Sequence, residues 1–189
     1  LASKRKLSEI QVLTPTKKGI LGSQNLNTYL QEVFNPPKEG SPDLKFGSTV
    51  FRVGDRVMQI KNNYKLEYLK KDGTSGKGVF NGETGQVAAV NQEEKKVTVC
   101  YDDDRWVDYP YIQLDEIELA YAVTVHKSQG SEFETVFIPM SWFPPALATR
   151  NLIYTAVTRG KKNVVIVGRG DYFNAMVDNA EAGKRNTGL

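Results

Sequence analysis

The chain has 189 residues, 40% of them hydrophobic and 25% charged, with a formal net charge of +3. That fits one large globular domain or two small ones, and the mild basicity permits a nucleic-acid partner without arguing for one. The single cysteine, Cys100, and single histidine, His126, exclude a disulfide framework and a Cys/His zinc site. They suit a reducing compartment, the cytoplasm. No stretch approaches the ~20 apolar residues that span a bilayer, so no membrane partner is expected. The opening Leu-Ala-Ser-Lys-Arg-Lys-Leu lacks both a Met and a following apolar run, so it reads as the start of an excised fragment rather than a secretion signal.

In chain order, Ile10–Thr14 reads as a short buried strand and 15–22 as a loop carrying Lys17, Lys18 and two glycines. Ser23 is placed to cap a helix through about Phe34, with Leu26, Tyr29, Leu30 and Val33 on its apolar face. Asn35-Pro36-Pro37 stops that helix. Residues 38–48, rich in Gly, Pro, Ser and Lys, read as a linker. Short β-rich runs follow at 50–60, 84–90, 96–101 and 105–109, separated by turn material at 81–82, 91–94 and 102–104. Such a series predicts a small barrel, with 64–78 as a mobile loop within it. Beyond Leu114 the pattern predicts a buried strand at 133–138, a helix at 149–159 and an aliphatic strand at 163–167. Asp171 is placed to cap a last helix ending near Gly183. The simplest organisation is one α/β domain over 1–45 and 116–189, interrupted by a barrel over 47–115.

Two stretches are dense in chemistry. Thr124-Val-His126-Lys127-Ser-Gln-Gly130-Ser-Glu132 leads into a strand, where α/β folds place ligand sites. Gly130 suits close approach of backbone to a phosphate, and Glu132 suits a ribose hydroxyl. Taken alone, the stretch also reads as a solvated turn. The second, Asn151-Leu-Ile-Tyr-Thr-Ala-Val-Thr-Arg159-Gly-Lys-Lys162, ends a helix with cations. That is either a routine complement to the helix dipole or a guanidinium aimed at a transferring phosphoryl group.

Together the two resemble motifs V and VI of superfamily 1 helicases, in order and separation. Gln11-Val-Leu-Thr-Pro-Thr-Lys-Lys-Gly19 with the helix after it resembles motif IV of the RecD-type branch, the exodeoxyribonuclease V alpha subunit family. Val53-Gly-Asp-Arg-Val-Met-Gln59 and Val79-Phe-Asn-Gly-Glu-Thr-Gly85 resemble that branch's Src-homology-3-like insert. The resemblance implies a RecA-like parallel-sheet domain interrupted by a small β-barrel. It implies the C-terminal half of an ATP-dependent, 5′-to-3′ DNA helicase motor of repair and recombination. Arg159 then matches the arginine finger. Gly130, Glu132 and Lys17 match nucleotide-binding positions, with Lys17 standing where an arginine is frequent. Thr124, His126 and Lys127 match positions on the single-stranded DNA track, or, for Thr124 and His126, in the network that couples it to the nucleotide.

No G-x-x-x-x-G-K-[ST] loop is present: the Gly-Lys pairs at 76–77, 160–161 and 183–184 are never followed by Ser or Thr. Asp115-Glu116 imitates a metal-binding pair without a phosphate loop before it, so no metal ligand is assigned. ATP and Mg2+ are therefore expected to be held mainly by missing N-terminal domains of the same chain, and this chain alone is expected to be inactive in hydrolysis. The expected partners are single-stranded DNA, those domains and other subunits of a nuclease complex. The alternative is a nucleic-acid-binding barrel without motor function, presenting Tyr64, Tyr68, Phe80, Trp106, Tyr109 and Tyr111 among lysines.

Overall fold

The computed structural model describes residues 9–180, which divide into two compact units, 9–26 with 122–180 and Asn27–Tyr121. The chain runs β1 (Ile10–Thr14), α1 (Ser23–Phe34), β2 (Asp43–Phe46), β3 (Thr49–Arg52), β4 (Arg56–Gln59), β5 (Asn63–Lys70), β6 (Ser75–Val79), β7 (Thr84–Asn91), β8 (Lys96–Tyr101) and β9 (Arg105–Pro110). After a 3-10 segment at Tyr111–Glu116 come β10 (Ile117–Leu119), β11 (Ala122–Thr124), a second 3-10 segment at Val125–Ser128, β12 (Phe133–Met140), α2 (Arg150–Val157), β13 (Gly160–Gly168) and α3 (Gly170–Asp178). No described helix is long and apolar enough to cross a membrane.

The first unit holds a four-stranded sheet in the order β11-β1-β12-β13, with every adjacent pair parallel. Parallel pairing needs crossovers, and α2 supplies the one between β12 and β13, packing on both strands. It buries Leu152, Ile153 and Ala156, each large side chain contributing about 1.5–3 kcal/mol. Thr149 caps it, its hydroxyl accepting from the Leu152 amide at 3.3 Å. The cap expected of Asp171 is not made: Arg169 is the N-cap of α3, with no side-chain cap bond, and Asp171 pairs with Arg169 at 2.6 Å instead. α3 ends at Asp178, and the end expected near Gly183 lies outside the described residues.

The second unit is antiparallel, a seven-stranded sheet in the order β10-β4-β7-β8-β9-β5-β6 plus the hairpin β2-β3. Alternation along β8 buries Val97, Val99 and Tyr101, facing Val87, Val107 and Tyr109 of its neighbours. Two expectations fail here. The linker at 38–48 contains β2, which pairs with β3 across a turn at Gly47 (φ +59°). The supposed mobile loop at 64–78 is the β5–β6 hairpin, its turn fixed by Asp72 accepting from the Thr74 amide and hydroxyl. Arg105 holds this hairpin to the sheet. Its guanidinium lies 5.2 Å from the Tyr68 ring centroid, donates to the Gly78 carbonyl and pairs with Glu83 and Asp103.

The buried face of α1 reverses the expectation. Ser23, Asn27, Gln31 and Asn35, four apart, are buried, while Tyr29 is 65% and Val33 70% exposed. The cause is Asp55, fully buried at the β3–β4 turn, whose carboxylate accepts from Gln31 (2.6 Å), Asn35 (2.8 Å), the Tyr121 hydroxyl (2.9 Å) and the Arg52 amide (2.7 Å). A buried carboxylate needs such donors, and their side chains must face it. Burial, and then Asp55, push the Tyr121 hydroxyl well above the usual tyrosine range.

Candidate nucleotide and strand edges of the parallel sheet

Because the strands are parallel, their N-terminal ends share one edge of the sheet and their C-terminal ends the other. Phe133 pairs with Gly160 at the start of β12 and β13, and Arg159 and Glu132 immediately precede them. Arg159 is half-buried. Its Nε donates to the Thr155 carbonyl at 3.2 Å, one terminal nitrogen to the Ser131 carbonyl at 3.3 Å and the other to the Thr158 hydroxyl at 3.3 Å. All three acceptors are uncharged oxygens, so the guanidinium is oriented while its charge stays available to an anion. The Arg159 carbonyl in turn accepts from the Phe133 amide at 2.8 Å.

The Ser131 carbonyl thus ties Arg159 to the segment that carries Gly130 and Glu132. Gly130 is exposed with φ +84°, a left-handed conformation that glycine adopts without strain. Glu132 faces Lys161 at 3.5 Å, both exposed, a weak surface pair. Ser131 and Thr155 were not singled out in the sequence: they act through main-chain carbonyls, which every residue carries.

The opposite edge gathers the ends of β1 and β11, where Thr14 pairs with Thr124. The second 3-10 segment follows, with His126 exposed and Ser128 buried, its hydroxyl donating to the Val125 carbonyl. Lys127 is half-buried there. Lys17 belongs to this edge, three residues beyond the end of β1, with its carbonyl accepting from the Gln24 amide at 3.1 Å. The structure does not bring it beside Arg159. Seven register positions separate Thr14 from the start of β13, roughly 20 Å.

The 15–22 loop on this edge is tightly bonded. Each carbonyl from Thr16 to Leu21 accepts a hydrogen bond, in turn from the Ser23 amide, the Gln24 amide, the Thr16 hydroxyl, the Gly22 amide, the Asn25 side chain and the Thr14 hydroxyl. Gly22 permits this closeness, since a Cβ there would lie 2.4 Å from the Lys18 carbonyl carbon. Lys17, Lys18, Gly19 and Ile20 project into solvent.

Elsewhere, the Asp115-Glu116 imitation resolves into structure: Glu116 accepts from Gln59 and Asn63, and Asp115 pairs with Lys61. Among the described residues no three His, Cys, Asp or Glu side chains gather to hold a metal ion. The barrel's aromatics divide. Tyr109 is fully buried, donating to Gln59 at 2.8 Å, whereas Tyr64 is exposed and meets Phe80 edge-to-face at 5.4 Å.

Residues 26–101 match the ATP-dependent RecD-like DNA helicase SH3 domain, and residues 119–167 the UvrD-like helicase C-terminal domain. The chain thus carries a RecD-like SH3 domain and a UvrD-like helicase C-terminal domain. It is 36% identical over 181 residues to the ATP-dependent RecD2 DNA helicase of Deinococcus radiodurans, covering 95% of this chain and 23% of that protein. It is 30% identical over 183 residues to the RecBCD enzyme subunit RecD of Mycolicibacterium smegmatis, covering 97% of this chain and 29% of the relative. The chain thus spans less than a third of either relative's length. Its fold resembles that of Pif1 helicase from Bacteroides in complex with ADP-AlF3 and ssDNA, with a TM-score of 0.56 and 19% identity over 88% of this chain and 42% of that one.

Proposed function

We propose that this chain is the second half of an ATP-dependent DNA helicase motor, and that its parallel sheet divides the work between its two edges. The N-terminal edge faces nucleotide and the C-terminal edge faces single-stranded DNA. The observation that carries this reading is Arg159, a half-buried arginine oriented, among the described residues, by neutral oxygens beside Gly130 and Glu132. When bound, ATP supplies the phosphoryl group whose transfer to water drives the cycle. Arg159 then stabilises charge on that group, Glu132 accepts from the ribose, and the Gly130 backbone leaves room for phosphate. The phosphate loop and the Mg2+ ligands come from the preceding part of the parent.

At the other edge, Thr124, His126 and Lys127 contact the strand. Lys17 joins them as a phosphate contact rather than serving the nucleotide. Opening and closing of a cleft between Arg159 and the preceding domain of the parent moves the strand, in the 5′-to-3′ direction, within the cytoplasm. Relatives named as subunits of RecBCD support nuclease-complex subunits as further partners.

The test is Arg159→Ala and Arg159→Lys in the full-length parent. Arg159→Ala should lower DNA-stimulated ATP turnover by about 10³–10⁵-fold, while ATP binding changes little. Arg159→Lys should remain far below the parent, because an ammonium lacks the planar fork. Turnover within tenfold of the parent in both variants rules the assignment out.

A further inference from the structure

We propose that Ile20 is an apolar base contact on the strand edge, wedged against the bases of single-stranded DNA whose phosphates Lys17 and Lys18 engage. This rests on the reading of that edge as the strand's path, and it adds a residue and a mode of contact to it. Ile20 is 84% exposed. A single exposed aliphatic side chain is ordinary on a protein surface; its setting is what distinguishes this one. The loop that carries it is not slack, for all six carbonyls from Thr16 to Leu21 are engaged, and the Ile20 carbonyl itself is pinned by Asn25 at 2.8 Å. The side chain is therefore presented in a fixed place, and binding through it loses little backbone freedom.

The immediate neighbours are chemically matched to a nucleic-acid strand. Two exposed lysines precede Ile20, with Gly19 (φ +97°) between them and it in the chain. The same edge holds Thr124 and His126. A cation pair beside a rigid aliphatic tip suits a ligand alternating phosphates with apolar base faces, and Ile is among the side chains proteins insert between bases. The first amides of α1, from Ser23 and Gln24, are spent on the loop's own carbonyls, so the helix start is not what would hold the anion.

The experiment uses the full-length parent and a thymidine oligonucleotide carrying one 2-aminopurine, moved position by position. One position should brighten on binding, where Ile20 unstacks the base. Ile20→Ala should abolish that brightening and weaken strand binding about fivefold to tenfold, with the salt dependence unchanged. Ile20→Leu should retain the signal. Lys17→Ala with Lys18→Ala should instead weaken binding and reduce the salt slope by about 1.4. If the lysine variants behave so while Ile20→Ala leaves brightening and affinity intact, the wedge is overturned and the strand edge stands. If neither set alters binding, the edge reading itself is overturned. If Ile20→Ala only lowers thermal stability, its partner is another part of the parent and the wedge is likewise refuted.

Discussion

Replacing Asp55 with alanine should unfold much of the second unit's margin of stability. Four donors converge on that fully buried carboxylate: Gln31, Asn35, the Tyr121 hydroxyl and the Arg52 amide. A buried donor stripped of its acceptor costs about 1–3 kcal/mol, so four set an upper range of about 4–12 kcal/mol. Water entering the vacated space recovers part of this, which brings the expected cost to the lower end of that range. We expect about 4 kcal/mol for Asp55→Ala. Asp55→Asn, which turns an amide nitrogen towards one donor, should cost about half as much. The assay is urea unfolding of the chain in a Trp142→Phe background, where Trp106, the other of the two tryptophans, reports on β9. A loss below about 1 kcal/mol for Asp55→Ala would refute the claim that this carboxylate, rather than apolar packing, seats α1.

Two further predictions follow from burial. Tyr29→Lys and Val33→Lys should each change stability by less than about 0.5 kcal/mol, because both side chains are exposed; a loss above 2 kcal/mol by urea unfolding would restore the apolar face to the core. Tyr101 and Tyr109 share a 2.7 Å hydroxyl contact, and burial raises both hydroxyls far above the usual range. Their neutral forms thus favour the fold: that stability is whole below about pH 10, where unfolded tyrosine ionises, and is lost as pH rises from there towards the folded values. Stability should fall by about 1.4 kcal/mol per pH unit for each, and Tyr109→Phe should flatten the alkaline slope by that amount; an unchanged slope between pH 10 and 11.5 speaks against it.

Local pattern sufficed for much of this molecule. Alternation of apolar side chains marked β8 and β12, the aliphatic run marked β13, and the segments around Gly130 and Arg159 carried enough chemistry to be singled out before their contact through the Ser131 carbonyl was known. Three features were decided only in three dimensions, each by a partner distant in sequence. Tyr29 and Val33 looked like core on helical spacing, but Asp55, 24 residues beyond Gln31, turns the polar face inward. The 64–78 segment looked mobile for its lysines and glycines, yet Arg105, 27 residues beyond Gly78, clamps it as a hairpin. The resemblance to motif IV assigned Lys17 to the nucleotide together with Arg159. The parallel register of β1, β12 and β13 sends them to opposite edges, because a strand's direction is set by its neighbours and not by its own residues.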